Sequence, residues 1–225
     1  MEASTSEKTV QLYLNQDVQV RPYTIRLLIA GLKKRAFDLT IASLVTAFIL
    51  IWLIPLLTLL IKLSSPGPAL YIQMRTGRKG RIFPCLKFRT MTYETNVPFR
   101  QATPNDRRVT RIGKFLRKTN LDEMPQFLNV LAGHMSVVGP RPHPLPLDAE
   151  HWNTMPGYKE RYIVRPGITG LAQARGARGE TAEIHKMKSR VRYDHLYIRR
   201  QSTRLDATIC WWTITAAVRG NKNAY

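Results

Sequence analysis

The sequence predicts an α+β fold, mainly α, in which a membrane-entering helix joins a small domain with a short β-hairpin and interfacial helices. Three observations predict it. Leu39 to Ile61 form 23 consecutive residues without a formal charge. Beyond the breaker Ser65-Pro66-Gly67-Pro68, the stretches ALYIQMR and RIFPCLKFRTM flank a Thr76-Gly77-Arg78-Lys79-Gly80 turn. That is the pattern of a β-hairpin, weakened by Pro84. Further on, Leu121, Met124, Leu128 and Leu131 recur at helical spacing.

Composition bounds the rest. At 225 residues the chain makes one domain of ordinary size or two small ones. Lys and Arg total 35 against 15 Asp and Glu, a formal net charge of +20. A folded domain this basic faces a polyanion: nucleic acid, anionic lipid or phosphorylated substrates. The 44% of hydrophobic residues excludes a disordered basic tail. Cys85 and Cys210 form no CxxC pair, and the five histidines show no HExxH spacing, so neither a disulfide framework nor a zinc site is expected.

In chain order, residues 1–20 lack periodicity and read as a mobile polar tail. Residues 21–64 form a juxtamembrane and membrane unit. In its first part, Leu27, Leu28, Leu32 and Phe37 are interleaved with cations, which suits either anionic headgroups or a solvated helix face. As a straight helix the uncharged run would reach about 35 Å, enough for a hydrocarbon core of ~30 Å. Pro55 removes a helical hydrogen bond inside it and predicts a kink. Five cations stand on each flank: Arg21, Arg26, Lys33, Lys34 and Arg35 before it, and Lys62, Arg75, Arg78, Lys79 and Arg81 after it. The positive-inside rule therefore chooses no orientation. A single span and a re-entrant helix that breaks near Pro55 both remain open on these grounds.

Residues 65–225 form the second unit. Residues 94–110 are polar and read as a loop, and Ile112, Phe115 and Leu116 mark a short helix. Residues 139–170 are rich in Pro and Gly, with cations and aromatics threaded through them, and read as ordered irregular structure around a site. Helical pattern resumes near Ala182 and runs in pieces to Val218. The adjacent Trp211 and Trp212 suit either a headgroup interface or a core helix.

The chemistry concentrates between Arg107 and Leu147. Seven cations stand there (Arg107, Arg108, Arg111, Lys114, Arg117, Lys118 and Arg141) with two acids, the neighbours Asp122 and Glu123. Carboxylates amid so much positive charge should stay ionised. Pro125 is comfortable only in a helix's first turn, so a helix should begin near Asp122, and its free N–H groups would favour the charged carboxylates further. Two readings stay open. Asn120 and Glu123 have the spacing of a capping box, with Asn replacing Ser or Thr. Alternatively the pair faces phosphates: Mg²⁺ is held by one or two carboxylates plus substrate phosphates, and an ionised Asp can attack phosphorus. Arg141 between two prolines and Arg165 before Pro166-Gly167 are rigidly placed for gripping phosphate. Lys87 and Arg89, two apart on a strand, would share a face.

These residues resemble a family. Thr119 to Gln126 (TNLDEMPQ), Asn129, Met135 to Pro142 (MSVVGPRP), Arg165 to Gly170 (RPGITG) and Ala172-Gln173 look like the bacterial sugar transferases, the monotopic polyprenyl-phosphate phosphoglycosyl transferases. Lys34-Arg35, Asp38, the Ser65–Pro68 break, Lys87 to Met91 (KFRTM), and Asp194, Tyr197, Ser202 and Asp206 match as well. The resemblance covers about residues 33–216. It implies transfer of a sugar 1-phosphate from a UDP-sugar to polyprenyl phosphate, with UMP leaving and a polyprenyl diphosphate sugar forming. This is the membrane step that initiates exopolysaccharide or other surface glycan synthesis. It implies Asp122 as nucleophile and as metal-binding carboxylate, Glu123 as its partner, and Mg²⁺ as cofactor. Lys87, Arg89, Arg111, Arg141, Arg165 and Gln173 become candidate substrate-binding residues. The helix is expected to be re-entrant, broken at Pro55, with Lys34, Arg35 and Asp38 holding the hairpin.

The second unit becomes a cytoplasmic catalytic domain on a bacterial inner membrane. The partners are the donor, the lipid acceptor and the bilayer, with room for downstream glycosyltransferases, and nucleic acid is not expected. His134 stands where an acid is common in the family, and Leu171 where Trp is common. No large N-terminal extension is seen, as in a minimal catalytic form.

Overall fold

The computed structural model describes residues 25–94, 102–103, 106–177 and 184–218, with side chains from residue 31 onward. The expected polar tail lies outside these residues, as does part of the expected 94–110 loop. Helix α1 (Ile25–Val45) passes through a π-turn (Thr46–Leu50) into α2 (Ile51–Ser64), which contains Pro55. The widened turn ends one residue before Ile51, whose carbonyl Pro55 cannot bond, so both irregularities fall in the middle of the apolar run. Gly31–Ser64 is the one described helix long and apolar enough to cross a membrane.

That helix is two-faced although its uncharged run is apolar almost throughout from Leu44 to Ile61. Ala42, Leu50, Leu53, Leu57 and Ile61 are buried, at spacings that keep them on one face. Leu44, Phe48, Ile51, Trp52, Leu56, Leu59 and Leu63 are exposed. Burial is against the rest of the chain: Leu50, Leu53, Leu57 and Ile61 share a core with Ala69, Phe88 and Leu116.

Strands β1 (Leu70–Thr76) and β2 (Ile82–Phe88) pair antiparallel, from Leu70 opposite Phe88 to Thr76 opposite Ile82, the hairpin expected from the turn between them. Asn129 satisfies this hairpin laterally, its Oδ1 accepting from Leu86 N at 2.9 Å and its Nδ2 donating to Pro84 O at 2.8 Å. Helix α3 (Arg111–Thr119) starts at Thr110, whose hydroxyl accepts from Gly113 N at 3.0 Å, and stops at Asn120 in the left-handed region (φ 57°). A 3₁₀ turn (Leu121–Glu123) and α4 (Gln126–Leu131) follow.

The 139–170 region holds more regular structure than its punctuation suggested. Strand β3 (Ser136–Val138) pairs in parallel with β4 (Gly167–Thr169), and α5 (Leu145–His151) with a 3₁₀ segment (Lys159–Ile163) lies between them. Three-residue strands are too short to show alternation. Gly139 and Gly167 serve as contact surfaces, since a Cβ on Gly167 would overlap the Gly139 backbone. Helices α6 (Leu171–Ala174), α7 (Ile184–Arg200) and α8 (Thr203–Val218) complete the chain. Ala42, Phe83, Cys85, Val130, Val138, Tyr197 and Ile209 form the central core, which joins α1, the hairpin and the last two helices.

Candidate active site

Asp122 and Glu123 sit in the 3₁₀ turn between α3 and α4, two short elements pinned by the left-handed Asn120 and by Pro125. The helix start expected near Asp122 lies at Gln126, with Pro125 as its N-cap residue. The capping-box alternative is not what forms. Asn120 makes no side-chain cap, and Glu123 points into a pair of cations. Lys87 Nζ, from β2, donates to Glu123 Oε1 at 2.7 Å. Arg141 grips the same carboxylate at both oxygens, NH1 to Oε2 at 2.9 Å and NH2 to Oε1. Burial opposes ionisation of Glu123, but Arg141 and Lys87 outweigh it and hold the carboxyl well below the usual range.

Asp122 is treated differently. Its side chain is buried, yet among the described residues it makes no hydrogen bond and no ion pair. Burial pushes its pKa up to about 6, and the Lys87, Arg117 and Arg141 charges limit the rise. The expectation of two comparably ionised acids therefore divides in two. Glu123 is locked as an anion, whereas Asp122 is an anion at neutral pH but close to titrating. Such a carboxylate is more basic than its neighbour and has both oxygens available.

Of the candidates drawn from sequence, Lys87 and Arg141 meet at Glu123. Arg89 lies elsewhere, although it was expected to share a face with Lys87. It is buried beneath the end of α2, where NH2 donates to Ser65 O at 2.7 Å and Ile61 O at 3.3 Å, and NH1 donates to Pro66 O. It closes the open carbonyls of the apolar helix. Arg111 is exposed on the first turn of α3, and Gln173 Nε2 bonds Ile168 O beneath β4 at 3.1 Å. Arg165 binds Gly133 O at 3.0 Å near the hairpin turn, away from the carboxylates.

Arg117 was not among the sequence candidates. It sits on the last turn of α3, where Nε donates to Thr90 Oγ1 at 2.9 Å, and its charge acts on Asp122. Counting cations could not choose it from its neighbours; its position one turn before the carboxylates was the available signal. Arg75 and Arg161, which sequence reading missed, hold the Pro140–Pro142 loop from behind. Arg75 NH1 donates to Pro142 O at 2.7 Å and Arg161 NH2 to Arg141 O at 2.8 Å. Arg161 is itself paired with Asp194 Oδ2 at 2.7 Å, and Tyr158 OH joins His143 and Asp148, each at 2.6 Å. No local pattern around Arg161 marks it, because its partners come from distant segments.

Lys34, Arg35 and Asp38 tie α1 to the rest of the chain. Lys34 pairs with Asp38 at 3.1 Å and Asp206 at 2.9 Å. Arg35 donates to Val130 O at 2.8 Å and Leu131 O at 3.2 Å, and Asp38 Oδ1 accepts from Ser136 Oγ at 2.9 Å and Val137 N at 3.1 Å.

The donor set also bears on a divalent cation. No group of three or more His, Cys, Asp or Glu residues is placed to hold a metal among the described residues. A hard cation there would have the unpartnered Asp122 carboxylate as protein ligand and would draw its remaining oxygens from substrate phosphate and water. Mg²⁺ accepts that arrangement.

Comparison with known proteins agrees with this geometry. The model of the family described as bacterial sugar transferase matches residues 29–220. A UDP-glucose:undecaprenyl-phosphate glucose-1-phosphate transferase of Klebsiella pneumoniae is 47% identical over 196 residues, covering 85% of this chain and 41% of that protein. The chain thus spans less than half the length of that relative. A Caulobacter vibrioides protein of the same name is 45% identical over 195 residues, covering 86% of this chain and 72% of the relative. An exopolysaccharide production protein of Rhizobium leguminosarum bv. phaseoli is 42% identical over 196 residues, covering 84% of this chain and 96% of that one. The match takes in both carboxylates, their cations and the helix that carries Lys34 to Ile61, and on that extent the chain belongs to the bacterial sugar transferase family.

Proposed function

We propose that this protein transfers a sugar 1-phosphate from a UDP-sugar to a polyprenyl phosphate, with Asp122 as the nucleophile. The carrying observation is the contrast between Glu123, clamped by Lys87 and Arg141, and Asp122, buried beside it with no partner among the described residues. In the first step an Asp122 oxygen attacks the β-phosphorus of the donor. The bond from that phosphorus to the oxygen of UMP breaks, UMP leaves, and a sugar phosphate remains on the carboxylate. In the second step an oxygen of the lipid phosphate attacks the same phosphorus, the aspartyl bond breaks, and the polyprenyl diphosphate sugar departs with Asp122 restored. Lys87, Arg117 and Arg141 face the growing negative charge, and Glu123 fixes two of them in position beforehand. Mg²⁺, when bound at Asp122 and the diphosphate, would supply further charge neutralisation. Among the relatives described, two are named for UDP-glucose, which makes it the first donor to try.

The apolar helix enters the membrane from one face and returns to it. The support is that both its ends touch one body: Lys34, Arg35 and Asp38 reach β3, α4 and α8, while Leu57 and Ile61 pack on Phe88 and Leu116. A straight span would carry its ends about 30 Å apart to opposite faces. In this reading that body lies on the cytoplasmic face of the inner membrane, where the lipid phosphate reaches the site along the bilayer plane.

The test uses purified protein with Mg²⁺, polyprenyl phosphate and a panel of UDP-sugars, and measures UMP. Sustained UMP turnover that depends on the lipid is expected, together with one equivalent of UMP and a sugar-phosphate mass increment on Asp122 with donor alone. Normal turnover by Asp122→Asn, or continued UMP turnover beyond one equivalent without lipid, would overturn the proposal.

A further inference from the structure

The strongest unassigned feature lies at the turn end of the β-hairpin. A cavity of about 410 Å³ opens there, lined by the hairpin turn, by Gly133 and His134 after α4, and by Arg165. Its size falls in the range of small-ligand sites. Arg78, Lys79, Arg81 and Arg165 line it, and no acid does. The apolar wall is Ile82 and Phe83, the latter stacked on His134 with ring centroids 5.7 Å apart. Phe83 and Lys87 are four positions apart along β2, about 13 Å of strand, so this cavity is not the carboxylate site.

The cations are placed rather than merely present. Arg165 is held by one bond, Nε to Gly133 O at 3.0 Å, and its two terminal nitrogens meet no acceptor among the described residues. Burial and the nearby Arg35 and Arg78 lower its pKa, with Asp38 the one acid acting against them. Arg78 Nε is fixed on Ile163 O at 3.1 Å, which ties the hairpin turn to the segment that carries Arg165. Lys79 occupies the left-handed region (φ 58°), a conformation that glycine would adopt with less strain. The Arg165 guanidinium, partly desolvated and set beside other cations, is repelled more than it is attracted. A dianion between them would relieve that repulsion and give the Arg165 fork its missing acceptors.

We propose that this cavity is a second anion site, which takes a phosphate ester between Arg78, Lys79, Arg81 and Arg165. The ligand chemistry is a phosphate group, from either a free phosphorylated solute or an anionic lipid headgroup. Arg35, at the start of the membrane helix, is close enough to act on Arg165, which brings the cavity near the level where the chain enters the bilayer. This site stands apart from the catalytic reading and would exist whether or not Asp122 is the nucleophile.

The experiment is amide hydrogen exchange on the full chain in nanodiscs. One arm adds inorganic phosphate to phosphatidylcholine discs. The other replaces half the phosphatidylcholine with phosphatidylglycerol and adds no phosphate. Slower exchange is expected in residues 77–83 and 163–167 in at least one arm, and the arm that responds identifies the source. Lys79 and Arg81 are exposed, so Lys79→Gln with Arg81→Gln should fold and lose that protection. Any phosphate-dependent protection around Asp122 should persist in that variant, which separates the two sites. No protection at the hairpin turn in either arm, or protection unchanged in the double variant, overturns the proposal.

Discussion

At the residue scale, two adjacent carboxyls are separated by what surrounds them. Glu123 is an anion at every working pH because two cations hold it, whereas Asp122 is pushed up to about 6 by burial. An acid whose folded pKa is raised is protonated more readily in the folded state than in the unfolded one. The folded state thus gains stability as pH falls towards 6 and below, while the proposed nucleophile is lost over the same range. We therefore expect kcat/KM for the donor to fall about tenfold per pH unit below about 6, as one proton adds. Asp122→Asn should abolish UMP release yet raise thermal stability, by about 1–3 kcal/mol if the burial cost of the charge is relieved. A melting curve beside the activity assay checks both halves. Glu123→Gln has a different signature. It frees Lys87 and Arg141 from their anchor, so kcat should drop strongly while the pH limb near 6 shifts downward, because a neighbouring negative charge has gone.

At the scale of elements, short pieces are held by contacts that leave no room for substitution. Gly113 sits in the first half of α3, where helix propensity alone would favour alanine by about 1 kcal/mol. A Cβ there would overlap the Thr90 carbonyl, whose segment also supplies Arg117 with its hydroxyl partner. Overpacking outweighs propensity, so Gly113→Ala should destabilise by about 1–3 kcal/mol in denaturant titration and weaken activity through Arg117. In the apolar helix, the π-turn and Pro55 lie together where a re-entrant path needs its bend. Single cysteines at Gly31 and Leu63, in a background without Cys85 and Cys210, should both react with a membrane-impermeant thiol reagent from the same side. Labelling from opposite sides would mean a single span.

At the scale of the whole molecule, distant segments meet at a few charged joints. Lys34 bridges Asp38 on its own helix and Asp206 on α8, while Tyr197 OH donates to Asp206 at 2.8 Å and Val138 O at 2.9 Å. Burial raises the Asp206 pKa, and Lys34 opposes that rise. Lys34→Met would strand a buried carboxylate, a change that typically costs about 3–5 kcal/mol. The loss should be greatest at neutral pH and shrink on acidification, as Asp206 takes up a proton, and melting temperatures at two pH values would show it. Much was legible before any coordinates. The uncharged run, the hairpin turn and the Asp-Glu pair among cations are local patterns, and local patterns are what spacing and composition record. What sequence spacing could not carry was which cations converge. Arg117 lies close enough for its charge to act on Asp122, Arg89 bonds carbonyls at the end of α2, and Arg165 lines another cavity. The β3–β4 pair was equally hidden, since its strands are three residues long and their pairing is set by glycines in contact across the chain. The sequence by itself determined the adjacent acids among cations and the long apolar helix, because these depend on residue type and local periodicity. Only the tertiary structure decided that Asp122 is desolvated and free while Glu123 is pinned, because burial and ion pairing are made by segments far apart along the chain.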